Sequence, residues 1–148
     1  MAEEIILVVE DDPDHRELIV LALETRCERS RIAVAVSGED ALDYLHARGA
    51  HTGRDPRRLP RLVILDLRMA RMDGVAVLKA IRGDSTTASI PVVMLSAVTD
   101  RAELDRCYEA GANSVVRKSV QLEELRAKIG KVYDFWITVN EANRNSRV

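Results

Sequence analysis

"IILVVEDDPDHRELIVLALETR", residues 5–26, is the stretch on which the fold turns. Ile5 to Val9 is a continuous, mostly β-branched apolar run, with none of the alternation of a strand that wets one face. Such a run reads as a strand covered on both sides, the environment of a parallel sheet. Three acids follow at once, Glu10, Asp11 and Asp12. From there to Arg26 the pattern is helical, with Asp12 as N-cap and Pro13 at the first helical position.

The same alternation continues outward. "RIAVAVS" (31–37) is a second strand, and Ser37 with Asp40 resembles a capping box opening the helix "GEDALDYLHAR" (38–48). Two prolines keep "GAHTGRDPRRLPR" (49–61) out of regular structure. "LVILDL" (62–67) is the third and most apolar strand, and "VAVLKAIRG" (75–83) is a short helix. "IPVVMLSA" (90–97), "TDRAELDRCYEAG" (99–111) and "SVVR" (114–117) read as strand, helix and strand, and everything after Ser119 is helical. Five strands alternating with five helices predict an α/β fold, a three-layer α/β/α sandwich around a five-stranded parallel sheet. With no internal repeat and no linker, residues 1–148 are expected to form one domain, its core at about 4–130.

Composition narrows the class. A chain of 148 residues is long enough to bury roughly 70% of its unfolded surface. With a net charge of −2 and no dominant basic face, nucleic acid is not an expected partner. Cys27 and Cys107 lie on separate predicted helices, which argues against a disulfide framework or zinc site and fits a reducing cytoplasm. The N-terminal apolar run is too short for a signal peptide. Nothing approaches the ~20 apolar residues that span a bilayer. The expected localisation is cytoplasmic, with no membrane partner.

In parallel α/β sheets function collects beyond the carboxyl ends of the strands. There the sequence places Glu10 and Asp11 after the first strand, Asp66 after the third, Ser96 and Ala97 after the fourth, and Lys118 after the fifth. Two unit charges about 4 Å apart repel by ~4 kcal/mol at an effective dielectric near 20. A proton or a cation must therefore relieve three neighbouring carboxylates. An all-oxygen donor set without His or Cys suits Mg²⁺ rather than zinc. Beside a lysine and a hydroxyl, such a metal is a phosphoryl-transfer arrangement. Asp66 is the candidate nucleophile, forming an acyl phosphate. Mg²⁺ and Lys118 would neutralise the phosphoryl oxygens, Ser96 would donate to one of them, and Ala97 leaves room. Taken singly, Asp12 is a helix cap, Ser96 a turn former and Lys118 a surface cation. The set is what carries the specificity.

"VVEDD", "VILDLRMARMDG", "VVMLSA" and "GANSVVRKS" together resemble the receiver domain of two-component response regulators, over essentially Ile5 to Ile129. The resemblance implies the strand order 2-1-3-4-5 and Asp66 as phosphoacceptor from a sensor histidine kinase. It also implies Lys118 as phosphoryl partner and Mg²⁺ held by Asp11, Asp66 and the backbone carbonyl of Arg68, with Glu10 acting through water. Three departures stand out. The family's usual proline is Ala70, implying a less constrained loop after Asp66, and the residue after Lys118 is Ser119 rather than proline. The aromatic that usually moves with the switch hydroxyl is Val115, which has no ring to swing, so Ser96 is left as the mobile switch residue. Arg68 sits at the pocket mouth, either as a phosphate partner that slows attack by water or as a solvated loop charge. The long 49–61 loop, the Lys118-Ser119 pair and the tail "VYDFWITVNEANR" also resemble regulators partnered with bacterial phytochrome kinases, which have no output domain.

Leu122, Leu125, Ile129, Val132, Trp136 and Val139 recur at intervals of three and four. They predict one apolar seam on a helix over about 120–143, some 34 Å long as far as Ala142 at 1.5 Å per residue. Three of the five aromatics fall here. Tyr133, Phe135, Trp136 and Val139 are accordingly the candidates for a homodimer interface on the face of the fourth helix, fifth strand and fifth helix. The competing reading folds the tail back onto its own domain, with Gly130 permitting a bend.

The functional expectation is a receiver that is phosphorylated on Asp66 and signals through a surface or dimer change without an attached output domain. It is not an enzyme beyond self-phosphorylation and autodephosphorylation. A phosphorelay intermediate or phosphate sink, and a phosphorylation-independent binding module, are the alternatives. An aspartyl-nucleophile phosphatase is disfavoured, because the second acid such enzymes need two residues on is Arg68 here.

Overall fold

The computed structural model describes residues 4–142. Five strands, β1 (Ile6–Val9), β2 (Ile32–Ala35), β3 (Leu62–Asp66), β4 (Val92–Ser96) and β5 (Ser114–Arg117), form one parallel sheet in the order β2-β1-β3-β4-β5. The helices are α1 (Pro13–Glu24), α2 (Gly38–His46), α3 (Gly74–Gly83), α4 (Arg101–Glu109) and α5 (Leu122–Tyr133).

Strand periodicity divides the core in two. Leu7, Val9, Val63, Leu65, Val92 and Met94 pack with α2, α3 and Cys107 of α4. Ile6, Val8, Leu62, Ile64, Val93 and Leu95 pack with α1 and α5. Successive side chains on a strand point to opposite faces, so an unbroken apolar run fills both layers. The expected three-layer sandwich is what the chain forms.

Helix starts follow local chemistry. Asp12 caps α1, accepting from the N–H groups of Asp14 (2.9 Å) and His15 (3.3 Å), with Pro13 next. At α2, Ser37 accepts from Asp40 N–H (3.0 Å). The return bond runs from Val36 N–H to Asp40 (3.0 Å), one residue earlier than in a standard capping box. Gly74, which opens α3, is required by a close approach. A Cβ there would lie 2.5 Å from the carbonyl oxygen of Asp66.

The 49–61 loop holds a 3₁₀ turn (Gly49–His51) and is anchored by side chains. Arg54 lies 3.6 Å from the centroid of the Tyr44 ring and donates to the carbonyls of Tyr44 and Arg58. His51 meets Asp40 at 2.8 Å and packs edge-on against Tyr44.

The tail departs from the single long helix. After Tyr133 the chain widens into a π-helical stretch, Asp134–Val139, and leaves helical geometry at Asn140. Asn143, the last residue of the expected helix, lies outside the described residues. The wider turn shifts the seam: Leu125, Ile129 and Val132 stay buried, Ile137 joins them, and Val139 is 66% exposed. Arg26 holds Asp134 at 2.9 Å, and Arg61 donates to the carbonyl of Ile137 at 2.9 Å. Those two anchors pull the last turn onto the domain. Tyr133 and Trp136 pack partly against the α1–α5 core, whereas Phe135 and Val139 face outward. The expected seam is thus corrected, and of the four interface candidates two, Phe135 and Val139, are exposed. Gly130 lies within α5, which continues to Tyr133; there it leaves space for Arg26, whose Nη2 a Cβ would meet at 2.7 Å.

Candidate functional site

The carboxyl ends of β1, β3, β4 and β5 converge as the strand order requires. Oxygens of Glu10, Asp11 and Asp66 all lie within 4.8 Å of one another, the only such group among the described residues. Glu10 (1% exposed) and Asp66 (4%) are buried, and Asp11 is half-buried. Lys118 enters from the end of β5, its Nζ 2.6 Å from Glu10 Oε1 and 3.0 Å from Asp66 Oδ1. Its ammonium bridges the two most buried acids. Glu10 also accepts from Asp12 N–H (3.3 Å), while Arg16 donates to its backbone carbonyl (3.0 Å).

Burial first, then the charge of Glu10, push the Asp66 carboxyl up to about 6, against the partial relief given by Lys118. Burial alone would lower the Lys118 ammonium. The hydrogen bonds to Glu10 and Asp66, and their charges, outweigh it and hold the group above its ordinary value. At neutral pH the pocket therefore contains an ionised, poorly solvated Asp66 beside a protonated Lys118. That is a nucleophilic carboxylate with a cation placed for the oxygens of an incoming anion.

Asp11 accepts from the N–H of Ala70 at 3.0 Å. Proline at that position has no N–H to give. The loop after Asp66, expected to be less constrained, thus carries an anchor that proline would not supply.

Ser96 is buried but turned from the acids. Its Oγ donates to the carbonyl of Val98 (2.5 Å) and accepts from Val98 N–H (3.2 Å), while Ala97 is exposed. Val115 packs against the α2–α3 core, and its backbone N–H donates to the hydroxyl of Tyr108 (3.2 Å). An aromatic residue therefore does reach this strand through its hydroxyl, but it comes from α4. The Lys118–Ser119 peptide is trans, like every other among the described residues.

Arg68 is exposed at the pocket mouth and is also paired, which neither sequence reading foresaw. Its Nη2 lies 3.3 Å from Glu103 Oε2 on α4, and Arg106 meets Glu103 Oε1 at 3.1 Å and Asp73 Oδ2 at 3.4 Å. Glu103 and His15, whose Nδ1 is 3.8 Å from Glu10, were not legible as site residues. Both sit on helix surfaces with no strand-end signal, and only the docking of the helices brings them in. Gly74 carried the faint clue of a glycine at a helix start.

The family model of the response regulator receiver domain matches residues 6–130. The chain is 37% identical over 138 residues to the probable methanogenesis regulatory protein FilR2 of Methanothrix harundinacea, covering 93% of this chain and 86% of that one. It is similar to the phosphorylated cyanobacterial phytochrome response regulator RcpA, with a TM-score of 0.86, 28% identity, and coverage of 95% and 99%. The Mn²⁺-bound form of response regulator Rcp1 gives 0.80 and 25%, with coverage of 95% and 99%.

Proposed function

This chain belongs to the response regulator receiver domain family, and we propose that Asp66 takes its phosphoryl group from a sensor histidine kinase in a Mg²⁺-dependent step. As a receiver domain it is a phosphoacceptor of two-component signalling. The observation that carries the residue assignment is the Lys118 ammonium spanning Glu10 and Asp66 in a pocket of three converging carboxylates.

The donor set fits Mg²⁺: the grouped ligands are carboxylates, hard oxygen donors, with no sulfur or imidazole among them. Asp11, Asp66 and the backbone carbonyl of Arg68 would hold the ion, with Glu10 acting through water. When bound, it supplies positive charge to the phosphoryl oxygens. The chain's own residues do the rest. A carboxylate oxygen of Asp66 forms a bond to phosphorus as the bond from phosphorus to the donor's histidine nitrogen breaks, the electron pair leaving with that nitrogen. A carboxyl at about 6 is ionised at pH 7, as attack requires. Lys118 remains protonated and shares its charge with the transferred group. Ser96, released from Val98, would donate to a phosphoryl oxygen beside Ala97. Self-phosphorylation and autodephosphorylation are the only chemistry assigned to the domain.

The likeness to a regulator named for phytochrome supports a phytochrome-type kinase as donor. No helix among the described residues is long and apolar enough to cross a membrane, in keeping with work in the cytoplasm. Output is assigned to a homodimer on the α4-β5-α5 face. Support comes from a hollow of about 680 Å³ lined by Val115, Val116, Val132, Phe135 and Trp136, and from the exposure of Val139.

Two experiments test this reading. Acetyl phosphate with Mg²⁺ should add one phosphoryl mass to the wild type and none to Asp66→Asn; an unchanged wild-type mass would sink it. Sedimentation with and without beryllium fluoride should show a dimer that Phe135→Glu abolishes. A monomer in every state removes the dimer and leaves the phosphoacceptor assignment standing.

A further inference from the structure

α4 is the most weakly buried helix of the sandwich. Of its nine residues only Cys107 is buried, against four or five in each of the other helices. Polar contacts hold it instead. Tyr108 accepts from the Val115 N–H, Arg106 reaches Asp73 at the cap of α3, and Arg68 reaches Glu103. The last contact is the least secured. Glu103 is 13% exposed, but its Oε2 lacks a hydrogen-bond partner, so the 3.3 Å approach of Arg68 holds by charge alone. Arg68 itself is 65% exposed and follows Asp66 by two residues, within a side chain's reach of the pocket.

We propose that Arg68 is a transferable latch between Glu103 and the phosphoryl group on Asp66. Paired with Glu103, it ties α4 to the loop that follows the phosphoacceptor. A phosphoryl group brings more charge and three acceptor oxygens suited to the guanidinium fork, and it draws Arg68 away. Glu103 keeps Arg106, and α4 loses its tie to the pocket. The device needs no ring on β5, which suits Val115. Reciprocity follows: whatever strengthens the Arg68–Glu103 pair weakens binding of the phosphoryl group, and the reverse. The latch rests on Asp66 being the phosphoacceptor.

The probe is beryllium fluoride with Mg²⁺, read by its affinity and by amide hydrogen exchange across 101–109. Glu103→Gln should tighten wild-type binding about three- to tenfold, as expected for loss of one partly exposed competing pair, and should speed α4 exchange without ligand. Arg68→Ala, which keeps the backbone carbonyl, should weaken binding and also speed exchange. In the Arg68→Ala background Glu103→Gln should change affinity no further. Beryllium fluoride that binds the wild type and Glu103→Gln equally, with equal α4 exchange, overturns the latch, as does a Glu103→Gln effect that persists without Arg68. A wild type that does not bind the probe at all defeats the phosphoacceptor reading, and the latch with it.

Discussion

Asp66→Asn should make the metal-free protein more stable at neutral pH. The Asp66 carboxyl titrates at about 6 in the folded chain against an ordinary 3.8, so the folded state binds its proton more tightly than the unfolded state does. Stability from the protonated form is fully present below pH 3.8 and is lost as pH rises through about 6. Above that, the ionised carboxylate costs about 3 kcal/mol, an order-of-magnitude figure in which the attraction of Lys118 is already counted. Asparagine never ionises and keeps the shape. The variant should therefore exceed wild type by about 3 kcal/mol at pH 7.5 and by only about 1 kcal/mol at pH 4.5. Urea unfolding of both proteins in the presence of a chelator, with equal m-values, measures the difference. A gap of the same size at both pH values, or a variant less stable at pH 7.5, would refute the assignment of Asp66 as a buried, electrostatically strained acid. Mg²⁺ at about 1,000 times its Kd should reverse the order, since a ligand at that concentration stabilises its binder by about 4.1 kcal/mol.

Lys118→Met removes the cation shared by Glu10 and Asp66 and should cost about 3 kcal/mol at pH 7, with the loss shrinking as pH falls through about 6 and Asp66 protonates; a pH-independent loss would contradict that cause. Gly74→Ala puts a Cβ against the Asp66 carbonyl and should destabilise by about 1–3 kcal/mol while weakening beryllium fluoride binding; thermal melts and titration check both. Ser96→Ala removes a hydroxyl bonded only to Val98 and should change apo stability by about 1 kcal/mol or less, yet weaken beryllium fluoride binding severalfold. Equal affinity in the two proteins would remove Ser96 from the phosphoryl contacts.

Much of this molecule is written locally. An apolar run of four or five residues can lie in a sheet covered on both faces, and an acid directly after it must sit at the sheet's carboxyl edge. Glu10, Asp11, Asp66 and Lys118 were legible for that reason. The caps at Asp12 and Ser37 were legible because a cap bonds N–H groups within three residues. The tail was misread by the same logic carried too far. A seam at intervals of three and four presumes constant pitch, and the pitch changes where Arg26 and Arg61, distant in sequence, hold Asp134 and Ile137.

The sequence by itself determined the alternation of strands and helices, the strand ends, and so the chemistry gathered beyond them, because those follow from periodicity and from which side chains tolerate burial. Tertiary structure alone decided what each charged group faces. It gave Asp11 the N–H of Ala70, brought the Tyr108 hydroxyl to the Val115 N–H and paired Arg68 with Glu103. A long polar side chain reaches several partners from one backbone position, and which of them it meets depends on how whole helices pack.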